Sequence, residues 1–239
     1  MTVRLDGNLT INDLVQLACN GDEVELGQEV RSRVSEGRKA LEEIMEERDR
    51  PIYGVTTGFG DLVSEEIPRK YRQDLQENLI KSHSAGVGDP MNEETVRAII
   101  ALRANSLGMG HSGIRLVVLE KLVELLNRGI TPYVPEKGSL GASGDLIPLA
   151  HIASVLIGKG KAYYEDELLP AKKALAKAGV DYIGLKEKEG LALINGTQGM
   201  AAVMALGISK IRRLVKSADI IGGLTAFILG GNFAQFDSR

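Results

Sequence analysis

The residues with the most unusual chemical potential lie in one short run, Gly138-Ser139-Leu140-Gly141-Ala142-Ser143-Gly144-Asp145-Leu146. In a glycine-rich loop, an Ala-Ser-Gly tripeptide can let the amide nitrogen of Gly144 reach the carbonyl carbon of Ala142. Ring closure with loss of two waters would turn Ser143 into a dehydroalanine inside a methylidene-imidazolone, an electrophile that no ordinary side chain supplies. Small residues suit that reaction, because Gly accepts strained backbone angles and Ala adds little bulk where backbone segments meet. Two plainer readings of the same run stand beside it. Asp145 ahead of Leu146-Ile147-Pro148-Leu149 has the form of a helix N-cap. A phosphate-cradling loop is the other, although the run lacks the Gly-Lys-Ser/Thr ending of a P-loop and any dinucleotide spacing.

The elements that must position this loop are mainly helical. Thr10 before Ile11, Leu14, Val15 and Ala18, with Asp13 three residues on, has the form of a capping box. Helical periodicity continues over 26–47, 71–84 and 93–107. It is clearest over 112–128, where two apolar stripes imply a helix surrounded by others, and Gly129 supplies a stop. Leu146 to Ile157 reads as a buried helix. The segment 161–169 reads as a hairpin turning at Glu165-Asp166, and Pro170 opens a helix that runs to Gly179. From Thr197 to Leu229 a long helical stretch is expected, with a possible break at Gly222-Gly223. Its length, about 50 Å at 1.5 Å per residue, suits an elongated bundle. Short strands are expected only near Val3–Leu5, at Ile52–Val55 and in the hairpin. The fold class is therefore mostly α: an elongated helical bundle with a smaller N-terminal helical and loop region and short β-hairpins. The expected division is 1–110 and 111–239, the second part opening the central bundle.

Composition sets outer limits. The chain has 239 residues, 44% hydrophobic and 26% charged, with a formal net charge of −3. That balance reads as soluble and globular and gives no electrostatic reason for a nucleic-acid or membrane partner. Cys19 is the sole cysteine, so no internal disulfide can form; a reducing cytoplasm is compatible. Residues 217–236 approach the length of a membrane span, but Asp219, Asn232, Gln235 and two Gly-Gly pairs fit a buried bundle helix better. His83, His111 and His151 lie in separate segments without ligand spacing, so no metal site is expected. His151 reads as a hydrogen-bonded core residue.

Four blocks occur in order along the chain: Tyr53–Gly60 (YGVTTGFG), Asn78–Gly88 (NLIKSHSAGVG), Gly138–His151 (GSLGASGDLIPLAH) and Glu189–Gln198 (EGLALINGTQ). Together they resemble the aromatic amino acid ammonia-lyases, the family of histidine, phenylalanine and tyrosine ammonia-lyases and related aminomutases. The resemblance implies a mainly helical homotetramer. It places an autocatalytic methylidene-imidazolone on Ala142, Ser143 and Gly144, with no external cofactor, and gives Asp145 a supporting role in ring formation. It also implies that Tyr53 removes the β-proton. A free phenol titrates near about 10, so a catalytic tyrosinate needs donors or positive charge around it. Read without the other blocks, Tyr53 is a core tyrosine on a short strand; within them, Gly54–Gly60 becomes a mobile lid. Asn195 resembles the asparagine that binds the substrate carboxylate, with Gly60, His83 and Gln198 completing the substrate-binding set. His83 beside Ser82 can hydrogen-bond an imidazole or a phenol. The Thr197-Gln198 pair resembles histidine ammonia-lyases, which favours L-histidine going to urocanate. His83-Ser84-Ala85-Gly86 also resembles tyrosine lyases and aminomutases.

The resemblance runs from near Leu5 to Arg239, roughly half the usual length of such enzymes. An arginine, further aromatic side chains and a late glutamate of the family would lie beyond it. The chain is therefore expected to be a fragment, one subunit of a split enzyme with a partner chain, or a helical assembly protein that no longer catalyses. In each case residues 220–236 would present an apolar face short of partners.

Overall fold

The computed structural model describes residues 2–47 and 51–237. In chain order its elements are β1 (Thr2–Leu5), α1 (Ile11–Cys19), β2 (Glu23–Leu26), α2 (Gln28–Glu47), α3 (Arg72–His83), β3 (Val87–Pro90), α4 (Glu93–Leu107), α5 (Leu116–Asn127), β4 (Thr131–Pro132), β5 (Pro135–Lys137), α6 (Leu146–Leu156), β6 (Lys161–Tyr164), β7 (Glu167–Pro170), α7 (Ala171–Lys177), α8 (Glu189–Ile194) and α9 (Gln198–Ile228). Helices dominate, as the apolar periodicity requires. Thr10 and Asp13 form the expected capping box: each side chain accepts a hydrogen bond from the other residue's backbone N–H.

Helix α4 is the hub. Val96, Ile99, Ile100, Ala104 and Leu107 are buried, and the helix packs against α1, α5 and α9. The buried apolar residues form one cluster reaching from Val3 to Leu206. Buried Arg97 serves two helix ends. Arg97 donates from Nε and one terminal nitrogen to the Leu17 carbonyl in the last turn of α1, and from the other to the Leu126 carbonyl of α5. Both carbonyls lie in the last turn of their helix, where i→i−4 donors run out; the Leu126 carbonyl also takes the Gly129 amide at 3.3 Å, and the guanidinium adds a charged donor to each. Burial lowers the Arg97 pKa.

The strands are short. β1 and β2 pair in parallel, Val3 with Val24 and Leu5 with Leu26, and those four side chains enter the core. β3 pairs antiparallel with β5, and β6 lies between β4 and β7. The β6–β7 hairpin turns at Glu165 and Asp166, both with positive φ, as the sequence implied.

Four expectations are corrected. Ile52–Val55 is not a strand: the amides of Val55, Thr56 and Thr57 all donate to the Ile52 carbonyl, winding the segment into turns. Residues 112–115 are not helical, because the Arg115 amide is committed to buried Glu189 rather than to a helical carbonyl. Helix α9 runs unbroken through Gly222-Gly223 for 31 residues, about 46 Å. Gly-Gly weakens a helix without removing any of its hydrogen bonds, so ladders on both sides carry it through. Finally, the distal half of α9 is not a buried bundle helix but the unpartnered apolar face that was also expected: Ile220, Leu224 and Phe227 stand in the open, Phe227 at 73% exposure. By length and composition Glu189–Ile228 could cross a bilayer. However, the helix is interrupted at 195–197, and Lys210, Arg212, Arg213, Lys216 and Asp219 lie along it. The exposed side chains of this half of α9 form a contiguous apolar face.

Candidate active site

The loop between β5 and α6 folds back on itself. Backbone bridges link Gly141 with Gly144 and Ala142 with Gly144, so the two ends of the Ala142-Ser143-Gly144 tripeptide lie beside each other. Gly144 has φ of +91°, a region that L side chains rarely adopt. A Cβ there would also run into the Gly196 carbonyl, which leaves glycine as the only fitting residue. The next amide, Asp145 N–H, donates to the same Gly196 oxygen at 2.6 Å. Two turns, 141–145 and 195–198, are thus pressed together backbone to backbone.

Asp145 is almost fully buried, and its carboxylate points away from the helix it precedes. It makes no side-chain cap to α6. Instead Oδ2 accepts from the Met200 amide, in the first turn of α9, at 2.9 Å. The N-cap role therefore belongs to a different helix: a carboxylate from the loop satisfies an orphan amide of α9 and complements its positive end.

Asn195 sits at the C-terminal end of α8, and its side-chain amide donates to Ser143 Oγ at 3.4 Å. Gln198, three residues on, offers its Oε1 to Arg103 at 3.0 Å. Asn195 thus touches Ser143 directly, Asp145 reaches the same turn through the Gly196 carbonyl, and Gln198 is tied to Asn195 through Arg103.

Tyr53 and Gly60 form a second unit. The Gly60 amide donates to the Tyr53 hydroxyl oxygen at 3.2 Å, and Phe59 meets the tyrosine ring edge-on at 6.2 Å. The tyrosine is half exposed rather than a core residue on a strand. The Tyr53 oxygen thus has one backbone N–H donor directed at it. Gln76, fully buried on α3, ties this unit to the first. Its Nε2 donates to the Gly54 carbonyl at 3.3 Å, while its Oε1 accepts from the Gly190 and Leu191 amides of α8. One amide side chain thus couples the Tyr53 loop to the helix that ends at Asn195.

His83 ends α3, its Nδ1 paired with the Leu79 carbonyl at 2.9 Å and with Ser82 Oγ at 3.0 Å. No hydrogen bond among the described residues joins His83 or Tyr53 to Ser143. The chain after His83 is held against α6: Ser84 Oγ pairs with Ser154 Oγ, and the Gly86 amide donates to His151 Nε2 at 3.1 Å. His151 therefore does have the hydrogen-bonded structural place expected of it. Burial pushes its pKa down.

The base of α8 is anchored by Glu189, which is 0% exposed. Its carboxylate takes the Arg115 guanidinium in a two-pronged ion pair at 2.7 Å, together with the Arg115 and Lys186 amides. The Glu189 hydrogen bonds hold the Arg115 guanidinium above its ordinary range.

Four positioning residues escaped the sequence reading: Gln76, Arg103, Arg115 and Glu189. A signal existed for one of them. Arg103 interrupts the apolar run of α4, and a cation on a buried face must find acceptors there.

Residues 9–239 match the aromatic amino acid lyase family. The chain belongs to that family. Its relatives include histidine ammonia-lyase from Streptococcus sanguinis, 48% identical over 236 residues, which covers 98% of this chain and 46% of the relative. Among solved structures, histidine ammonia-lyase from Trypanosoma cruzi superposes with a TM-score of 0.84 at 39% identity, covering 92% of this chain and 42% of that one. A tyrosine aminomutase from Streptomyces globisporus superposes with a TM-score of 0.89 at 40% identity, covering 95% and 42%. This aromatic amino acid lyase chain thus spans slightly under half the length of these three relatives.

Proposed function

We propose that the chain is the part of an ammonia-lyase that carries its electrophile, and that the whole protein eliminates ammonia from L-histidine to give urocanate. The observation that carries the proposal is the doubled-back tripeptide, with Ala142 and Gly144 paired, Gly144 crowded against Gly196, and Asn195 over Ser143. These residues fit a methylidene-imidazolone: small, compressed and with no side chain in the way. That ring supplies an electrophilic carbon toward which a substrate amine becomes a better leaving group.

The chain's own residues then divide the remaining work. Tyr53, with the Gly60 amide on its oxygen, takes the β-proton from the substrate. Asn195 donates its amide N–H to the substrate carboxylate, which suits an uncharged double donor. Asp145 fixes the loop to α9, and Gln198 steadies the turn that carries Asn195. His83 meets the aromatic side chain of the substrate. Residues 1–110 contribute Tyr53 and His83, and residues 111–239 contribute the loop, Asn195 and Gln198. The remaining groups come from polypeptide outside these residues. The exposed stripe of α9 gives the protein a surface on which to assemble, with homotetramer formation as the expected state.

The histidine assignment draws support from relatives at about half identity that bear that name. A tyrosine lyase or aminomutase is the second reading, favoured by the likeness to tyrosine aminomutase. Urocanate release by the natively assembled protein, assayed beside tyrosine and phenylalanine, separates the two. Tyr53→Phe is expected to cut turnover by at least about a hundredfold, in line with loss of a proton-transfer group. Full activity in that variant would remove Tyr53 from the mechanism.

A further inference from the structure

Arg103 is the buried cation of the site. It is 5% exposed, on α4. Among the described residues its hydrogen-bond partners are three uncharged oxygens: the Ala192 carbonyl, the Asn195 carbonyl at 3.0 Å, and Gln198 Oε1 at 3.0 Å. Its Nε finds no acceptor. Burial alone pulls its pKa down to about 10. Keeping a guanidinium in such a place is costly, and a structural tie between helices could be made with neutral groups.

The turn it grips is the one that meets the loop. A Cβ on Gly196 would collide with both the Arg103 guanidinium and the Gln198 amide, while a Cβ on Gly144 would collide with Gly196 from the other side. The Gly196 carbonyl accepts from the Asp145 amide. Residues 195–198 are therefore sandwiched, with Arg103 behind them and the tripeptide in front. The planar fork of a guanidinium can hold several acceptors of one turn at once, which a lysine ammonium cannot do in the same geometry.

We propose that Arg103 is a positioning residue for self-modification: by clamping the Asn195–Gln198 turn against Gly144, it sets how fast the Ala142-Ser143-Gly144 backbone condenses. This rests on the reading given under Proposed function. In the condensation the Gly144 nitrogen bonds to the Ala142 carbonyl carbon. That carbonyl oxygen leaves as water with the amide hydrogens of Ser143 and Gly144, and the Ser143 hydroxyl leaves as a second water with the hydrogen of its own α-carbon. No oxidant or reductant is needed. What the reaction needs is sustained close approach, and a wall that does not yield provides it.

The test follows the mass of the natively assembled protein over time after folding, with the rate expressed per folded molecule as judged by circular dichroism. Wild type is expected to lose the mass of two waters. Arg103→Lys is expected to do so about tenfold more slowly or worse, the scale of one lost charge-assisted hydrogen bond. Gln198→Leu, which removes a single arm of the clamp at a half-buried position and spares the core, is expected to slow in the same direction. A merely structural role would lower the folded fraction without changing the rate per folded molecule. Wild-type rates in both variants would overturn the proposal for Arg103 and leave the reading of the loop standing. An unmodified mass in wild type would bring down both.

Discussion

Gly144→Ala isolates the compression on which the loop depends, provided it is made where the loop cannot react. In a Ser143→Ala background the peptide stays linear, so the substitution measures strain alone. Two contributions follow from the structure. Placing Ala at φ +91° costs about 1–2 kcal/mol. Its Cβ must also push the Gly196 carbonyl aside, which forfeits the 2.6 Å bond from the Asp145 amide, about another 1 kcal/mol. The total is about 2–3 kcal/mol, or roughly 4–12 °C in the unfolding midpoint of a chain of this size. Gly141→Ala is the matched control: its φ is +69°, but nothing lies near its would-be Cβ, so only the conformational cost of about 1 kcal/mol applies. Thermal and urea unfolding of the three proteins give the comparison. If Gly144→Ala costs no more than Gly141→Ala, the loop is not pressed against the 195–198 turn and the argument fails.

Glu189→Ala strands the half-buried Arg115 guanidinium and two amides, so a loss of about 3–5 kcal/mol is expected in urea unfolding; a loss under about 1 kcal/mol would show that the pair does not anchor α8. Replacing Leu224 and Phe227 on the open face of α9 with Glu is expected to lower self-association in sedimentation while leaving the unfolding free energy of the monomer within about 0.5 kcal/mol. Unchanged association would mean that this face is not the contact. His151 gives a pH dependence of defined sign. Its folded pKa lies below the unfolded value of about 6.5, so its contribution is full above that pH and is lost as pH falls through the folded pKa. Protonation also removes the lone pair that accepts the Gly86 amide. Urea midpoints of His151→Gln should decline less than wild type on acidification, and parallel curves would contradict the assignment.

The parts of this fold legible in the sequence are those fixed by local periodicity and local chemistry. The Thr10 capping box, the α4 boundaries and the Glu165-Asp166 turn are each set by residues within one turn of chain. Expectations failed where distant residues decide. Residues 112–115 have a helical pattern, yet Glu189, far along the chain, claims the Arg115 amide. Asp145 precedes α6 in sequence but caps α9 in space. Burial of the distal part of α9 was read from its composition, whereas burial depends on what packs against it. The candidate site divides in the same way. Ser143, Asn195 and Tyr53 stand out by residue type within glycine-rich blocks. Gln76 and Arg103 act only through where α3 and α4 place them.

The most direct measurement is the mass of the proteolytic peptide spanning Ala142 to Gly144, taken from the natively assembled protein and compared with Ser143→Ala. The peptide should be lighter by two waters in wild type and carry its full sequence mass in the variant. A full-mass peptide from protein that still eliminates ammonia at an undiminished rate would contradict the account.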